Sequence, residues 1–308
     1  MDFNDTPEEA KFRAEARTFL EANLSPKGAE TERLSRKLTP LEYLKAAKAY
    51  QAKKAEAGFA GITWAKEQGG RGLAPIFSVI FGQEEGKFDA PAAPFAIGLG
   101  MCVPTVIAFA DDATKDRYVA KALRGEEIWC QLFSEPGAGS DLAGLRTRAQ
   151  RDGDAWVING QKIWTSGAHW ADWAILVARS DPKTAKHKGL SFFFLSMKSP
   201  GIETRRIKQI SGASHFNEVY FTDVRIPDTQ RLGAVGSLGV EPADQRARQV
   251  GRGAGSARGQ AVELGAEGLG PPELIGHRLG HAIQFAGGEF FAEHGPFSAS
   301  GYPIPRQY

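Results

Sequence analysis

Residues 127–167 read EIWCQLFSEPGAGSDLAGLRTRAQRDGDAWVINGQKIWTSG, and the rest of the chain can be placed around them. The stretch opens on an apolar run, residues 128–133. A carboxylate and a small-residue turn follow, Glu135-Pro136-Gly137-Ala138-Gly139-Ser140-Asp141. Two β-type runs, 156–158 and 162–164, flank Asn159-Gly160. Both of these residues tolerate positive φ, so the pair predicts a two-residue hairpin turn. The second run ends in Trp164-Thr165-Ser166-Gly167, which sets an aromatic plate beside two hydroxyls.

These residue types suit a flat, polar ligand. Glycines let a backbone approach closely, and successive N–H groups of such a turn can hold an anion or a carbonyl oxygen. An indole can cover the face of a heterocycle while hydroxyls bond its ring nitrogens. Each piece alone also has a plainer reading, an ordinary turn for the first and strand-edge packing for the second. No Gly-Lys-Ser/Thr follows the turn, and no βαβ unit surrounds it, so it is neither a P-loop nor a dinucleotide fingerprint.

Outward from this stretch the hydrophobic period changes. On the N-terminal side, Thr6-Pro7-Glu8-Glu9 and Thr39-Pro40-Leu41-Glu42 each have the form of a capping box with proline at the first helical position. Phe12, Ala16, Phe19 and Leu20 recur on one helix face, as do Leu44, Ala47 and Tyr50. Further helices are predicted over 76–87, 104–110 and 115–123. Glu84 and Glu85 are adjacent and so point to different faces, which reads as a solvated edge. On the C-terminal side, 173–178, 190–196, 202–207 and 218–224 are short β-type runs without helices between them. The expectation is an α+β chain: an N-terminal α-helical domain over 1–125, a middle β-barrel domain over 126–236, and an atypical tail over 237–308.

Taken together, Ser134-Glu135-Pro136-Gly137-Ala138-Gly139-Ser140-Asp141, then Asn159-Gly160-Gln161-Lys162-Ile163-Trp164-Thr165-Ser166-Gly167, then Phe216-Asn217-Glu218-Val219-Tyr220-Phe221-Thr222-Asp223-Val224-Arg225-Ile226-Pro227 closely resemble the acyl-CoA dehydrogenase family over residues 1–236. The resemblance implies FAD as cofactor, an acyl-CoA thioester as substrate, and α,β-dehydrogenation with hydride passing to the flavin. It implies that Gln131, Leu132, Phe133 and Ser134 line the flavin, with Gln131 and Phe133 acting mainly through backbone. Trp164, Thr165 and Ser166 are implied to contact its ring, and Ser140 with Gly139 to hold the acyl-CoA. It further implies an electron-accepting flavoprotein as partner, a homo-oligomer, and fatty-acid oxidation, while the cytoplasmic setting is read from the polar start and the two isolated cysteines. The family's usual base is a glutamate in a C-terminal helical domain. None of the six glutamates in the tail sits in a matching motif, so no catalytic residue is assigned. An inactive relic that binds flavin or acyl-CoA without turnover stands as the alternative.

Composition excludes several other classes. A net charge of +2 gives no attraction to nucleic acid or membrane, and no apolar run reaches membrane-spanning length. The polar, acidic start reads as neither signal nor transit peptide. Cys102 and Cys130 form no metal or redox motif and read as buried thiols. The tail stands apart: residues 237–308 contain no Lys and no Trp, whereas the preceding residues hold every one of both. A flexible Gly/Arg/Ala segment, a loosely helical extension and an out-of-frame reading of a GC-rich gene all fit, and the loss of Lys while Arg persists favours the last.

Overall fold

The computed structural model describes residues 4–28, 37–184 and 186–236; the readings of the tail lie outside them. Helix α1 spans Pro7–Asn23, α2 Pro40–Glu56 and α3 Pro75–Glu85. Both capping boxes form. Glu9 N–H donates to Thr6 Oγ1 at 3.3 Å while Thr6 N–H donates to Glu9 Oε2 at 2.7 Å, and Thr39 and Glu42 repeat the pattern. Phe12, Ala16 and Leu20 of α1 pack on Phe77, Ile80 and Phe81 of α3, with Phe59 between. Helices α4 (Ala93–Ile97), α5 (Val103–Phe109) and α6 (Asp112–Leu123) follow, with a π-turn at Gly98–Cys102 joining the first two.

Among the described residues eight strands form one sheet: β1 Trp129–Leu132, β2 Arg148–Asp152, β3 Ala155–Ser166, β4 Trp173–Arg179, β5 Leu190–Ser196, β6 Ile202–Arg206, β7 Phe216–Pro227 and β8 Arg231–Leu232. Their order is β6-β7-β3-β2-β4-β5-β8, with β1 parallel to β4 beside that path. Among the described residues the expected barrel does not close, because β6 and β8 end the sheet without pairing to each other. Side chains of β5 alternate between two cores. Phe193 joins Trp156, Ile158, Leu176 and Val219 on one face, while Phe192 and Phe194 join Val103, Val106 and Val119 of the helices on the other. Burial on both faces explains the apolar run 192–195.

Two further expectations are corrected. The Asn-Gly pair is not the hairpin turn. Asp152 pairs with Ala155, so the turn is Gly153-Asp154, and β3 runs unbroken through Asn159 and Gly160. A bulge occupies that place instead, where β2 stops pairing and β7 continues. The Asn159 amide bridges to Asp223, donating from Nδ2 at 2.9 Å and accepting its N–H at 3.0 Å. Gly160 is required there by space, since an added Cβ would sit 2.5 Å from Thr147 Oγ1 and 2.7 Å from its Cα. Gly160→Ala is expected to cost about 2 kcal/mol through this overlap. Urea unfolding of the variant checks it, and a loss below about 0.5 kcal/mol would place the close approach elsewhere.

The second correction concerns Glu84. It is fully buried, not a solvated edge. Arg13, Arg17 and Lys87 all reach it, at 3.1, 3.2 and 2.7 Å. Glu85 turns instead to Tyr50 Oη at 2.6 Å and Lys54 Nζ at 2.9 Å.

Candidate functional site

The site is built where β1 ends against the second half of β3. Past Gly160, β3 keeps β7 on one edge. Its other edge meets the chain leaving β1, where Ile163 N–H donates to the Ser134 carbonyl at 2.9 Å. Strand β1 itself has a paired neighbour on one edge only among the described residues. A one-sided strand leaves backbone donors and acceptors facing outward, which is what a ring with alternating acceptor and donor atoms requires.

A second bulge, between Lys162 and Thr165, shapes this edge. It places Trp164 at φ 59°, a left-handed conformation rare for a bulky side chain. Bulges re-aim side chains, and this one turns the indole outward. Trp164 is 56% exposed, its ring held edge-on by Phe216 at 6.0 Å. Backbone strain of this kind is common at ligand sites.

Beneath the edge lies a buried ion pair. Lys162 Nζ donates to the Phe133 carbonyl at 2.9 Å and to Glu135 Oε1 at 2.8 Å. Glu135 also accepts the Arg146 N–H at 2.6 Å and the Thr147 N–H at 2.9 Å. Burial pushes the Lys162 ammonium down to about 8, with Glu135 pulling the other way. Burial also favours the neutral form of Glu135, but the Lys162 charge and the bonds from Lys162, Thr147 and Arg146 outweigh it and hold its carboxyl below the usual range. Committed in this way, Glu135 is not available as a base.

The turn after Glu135 is closed by reciprocal backbone bonds with Ala138, and Gly139, Ser140 and Asp141 stand exposed on it. Its far end is pinned by the Arg179 guanidinium, which donates to the Leu145 and Ala143 carbonyls at 3.1 and 2.6 Å. Leu132 and Phe133 point into the two cores, so any ligand contact they make is through backbone. Gln131, Ser134 and Ser166 are half-buried. Thr165 is buried, yet its hydroxyl has no hydrogen-bond partner among the described residues. An orphaned buried hydroxyl next to Trp164 is a group that a ligand could satisfy.

Sequence reading missed the support behind the strand end. Asn217 is fully buried and donates to the Thr165 carbonyl at 2.8 Å. Its Oδ1 lies 3.1 Å from His169 Nδ1, so that nitrogen carries the proton. Burial, with the charges of Arg206 and His215, moves His169 below its ordinary value, which keeps it neutral. A depression of about 460 Å³ between α2 and α6, lined by Ala52, Ala55, Ala120 and Leu123 among others, shares no residue with this edge. Among the described residues no group of three or more His, Cys, Asp or Glu side chains is placed to hold a metal, and no helix is long and apolar enough to cross a membrane.

The model of the acyl-CoA dehydrogenase N-terminal domain matches residues 6–126, and that of the middle domain matches residues 130–224. The chain belongs to the acyl-CoA dehydrogenase family. Acyl-CoA dehydrogenase IpdE1 of Mycobacterium tuberculosis is 39% identical over 226 residues, covering 73% of this chain and 59% of the relative. Acyl-CoA dehydrogenase FadE34 of the same organism is 45% identical over 166 residues, covering 54% of this chain and 23% of its own length. Among solved structures, the ChsE4-ChsE5 complex from M. tuberculosis superposes with TM-score 0.67 at 30% identity, covering 82% of this chain and 62% of that one. An FAD complex of PigA superposes with TM-score 0.65 at 26% identity, covering 78% and 61%. The chain thus spans about three fifths of the length of IpdE1. The N-terminal helices and the middle sheet are those of this family, and the matched regions place the turn and the bulged strand in its middle domain.

Proposed function

We propose that the chain is the flavin- and thioester-binding part of an acyl-CoA dehydrogenase acting with FAD on an acyl-CoA. The observation that carries this reading is the bond from Ile163 to Ser134, which sets an exposed indole beside an open strand edge and an orphaned hydroxyl. When bound, FAD would supply the hydride acceptor for oxidation of a carbon–carbon bond. The backbone of Gln131, Leu132, Phe133 and Ser134 would hold the polar rim of the ring. Trp164 would cover its face and exclude water, with Thr165 and Ser166 offering hydroxyls. Gly139 and Ser140, exposed on the anchored turn, would help hold the acyl-CoA.

The second reading, binding without turnover, is favoured by the commitment of Glu135 to Lys162. We place the family-like domains at 1–125 and 126–236 and keep 237–308 as an atypical tail, with a cytoplasmic setting, an electron-accepting flavoprotein and an oligomeric partner as further parts of the proposal. Titration with FAD is expected to quench tryptophan emission with weak affinity, the flavin washing off on gel filtration. Acyl-CoA with an artificial electron acceptor is expected to show no turnover. Measurable turnover would reject the second reading, and unaltered emission at saturating FAD would reject both.

A further inference from the structure

Lys162 has no exposed surface, and lysine is seldom buried so completely unless paired. Two apolar side chains would fill the same volume without the desolvation cost of two charges, so stability alone does not account for the pair. What apolar side chains cannot do is orient peptide groups. The Lys162 ammonium fixes the Phe133 carbonyl, and the Glu135 carboxylate fixes the N–H groups of Arg146 and Thr147. The peptide joining Phe133 to Ser134 is trans, as are all the peptide bonds described, so its N–H points opposite to its carbonyl. With the carbonyl turned inward to Lys162, the Ser134 N–H is turned outward. It donates to no described residue, while the Ser134 carbonyl on its other side is held by Ile163, the neighbour of Trp164.

We propose that Lys162 and Glu135 are positioning residues that aim the Ser134 N–H at the rim of the ring bound against Trp164. The inference rests on the flavin reading above but concerns two residues that touch no ligand themselves. Lys162 sets the peptide plane on the β1 side. Glu135 ties that plane to the base of the turn that carries Ser140, through the same oxygen that accepts from Lys162 and Thr147.

The full chain is compared with Lys162→Met, Glu135→Gln and the double variant Lys162→Met/Glu135→Met, reading melting temperature and FAD affinity separately. Lys162→Met, which leaves a carboxylate buried without its cation, is expected to lower both. The double variant is expected to recover the melting temperature to within a few degrees while binding FAD at least tenfold more weakly than the native chain. A purely structural pair would recover both together, so native-like FAD affinity in the double variant, within twofold, overturns the proposal. Backbone amide exchange supplies a readout that needs no flavin and no double variant. Arg146 and Thr147 are expected to exchange at least tenfold faster in Glu135→Gln, and unchanged exchange overturns the proposal. A native chain that ignores FAD would reject the flavin reading by itself and leave the exchange result to decide only whether Glu135 holds the Arg146 and Thr147 amides.

Discussion

Trp164→Gly is expected to yield a ligand-free protein about 1 kcal/mol more stable than Trp164→Ala, with both variants binding FAD about thirtyfold more weakly than the native chain. The first expectation reverses the usual order in a strand, where alanine outlasts glycine because glycine loses more freedom on folding. It follows from the φ of 59° at Trp164. A side chain with a Cβ pays roughly 1–2 kcal/mol in that region and glycine pays almost nothing. Both substitutions lose the edge-on contact with Phe216, so that loss cancels in the comparison. The second expectation comes from the area an indole covers. Burying such a ring against a flat ligand is worth about 2 kcal/mol, which is roughly thirtyfold in affinity. Denaturant unfolding of the two variants and FAD titration measure the two quantities independently. Equal stability would show that the bulge relaxes without cost, and native-like FAD binding would remove Trp164 from the ring face.

How much of this could be read from residues alone follows from the range of the forces involved. The capping boxes at Thr6 and Thr39 were legible because their bonds close within one helical turn. The order of helices then strands was legible because side-chain period is a local property. The Asn159-Gly160 pair misled for the converse reason. Its preference for positive φ serves a turn or a bulge equally, and the choice was made by Asp223 and Thr147, far away in sequence. Lys162 reads as a polar strand residue until Glu135, 27 positions earlier, is seen to meet it in the core. The site followed the same division. Trp164, Ser134 and Ser140 were proposed as site residues from their motif. The buried groups that hold them, Lys162, Asn217 and Arg179, carry no local signal because their partners are brought in only by the sheet.

The same long-range logic governs the largest expected effect on stability, which lies in the helices. Glu84→Gln is expected to cost about 3 kcal/mol and to flatten the acid limb of the stability profile. The carboxylate has no exposed surface, and burial by itself would favour its neutral acid. Hydrogen bonds from Arg17, Lys87 and Arg13 more than offset that and bring the group down from 4.5 to about 2. At about 1.4 kcal/mol for each pH unit of displacement, this amounts to roughly 3 kcal/mol. A carboxyl held below its unfolded value contributes fully above pH 4.5 or so, and its contribution fades as pH falls toward 2. The native chain should therefore lose stability steeply over that window, and Glu84→Gln should lose less there while starting lower at neutral pH. Because Glu84 clamps α3 to both Arg13 and Arg17 of α1, the first region to open on acidification should be this helix pair rather than the sheet. Amide exchange followed from pH 5 to 3 would show the order, and sheet amides opening before those of α1 would contradict it.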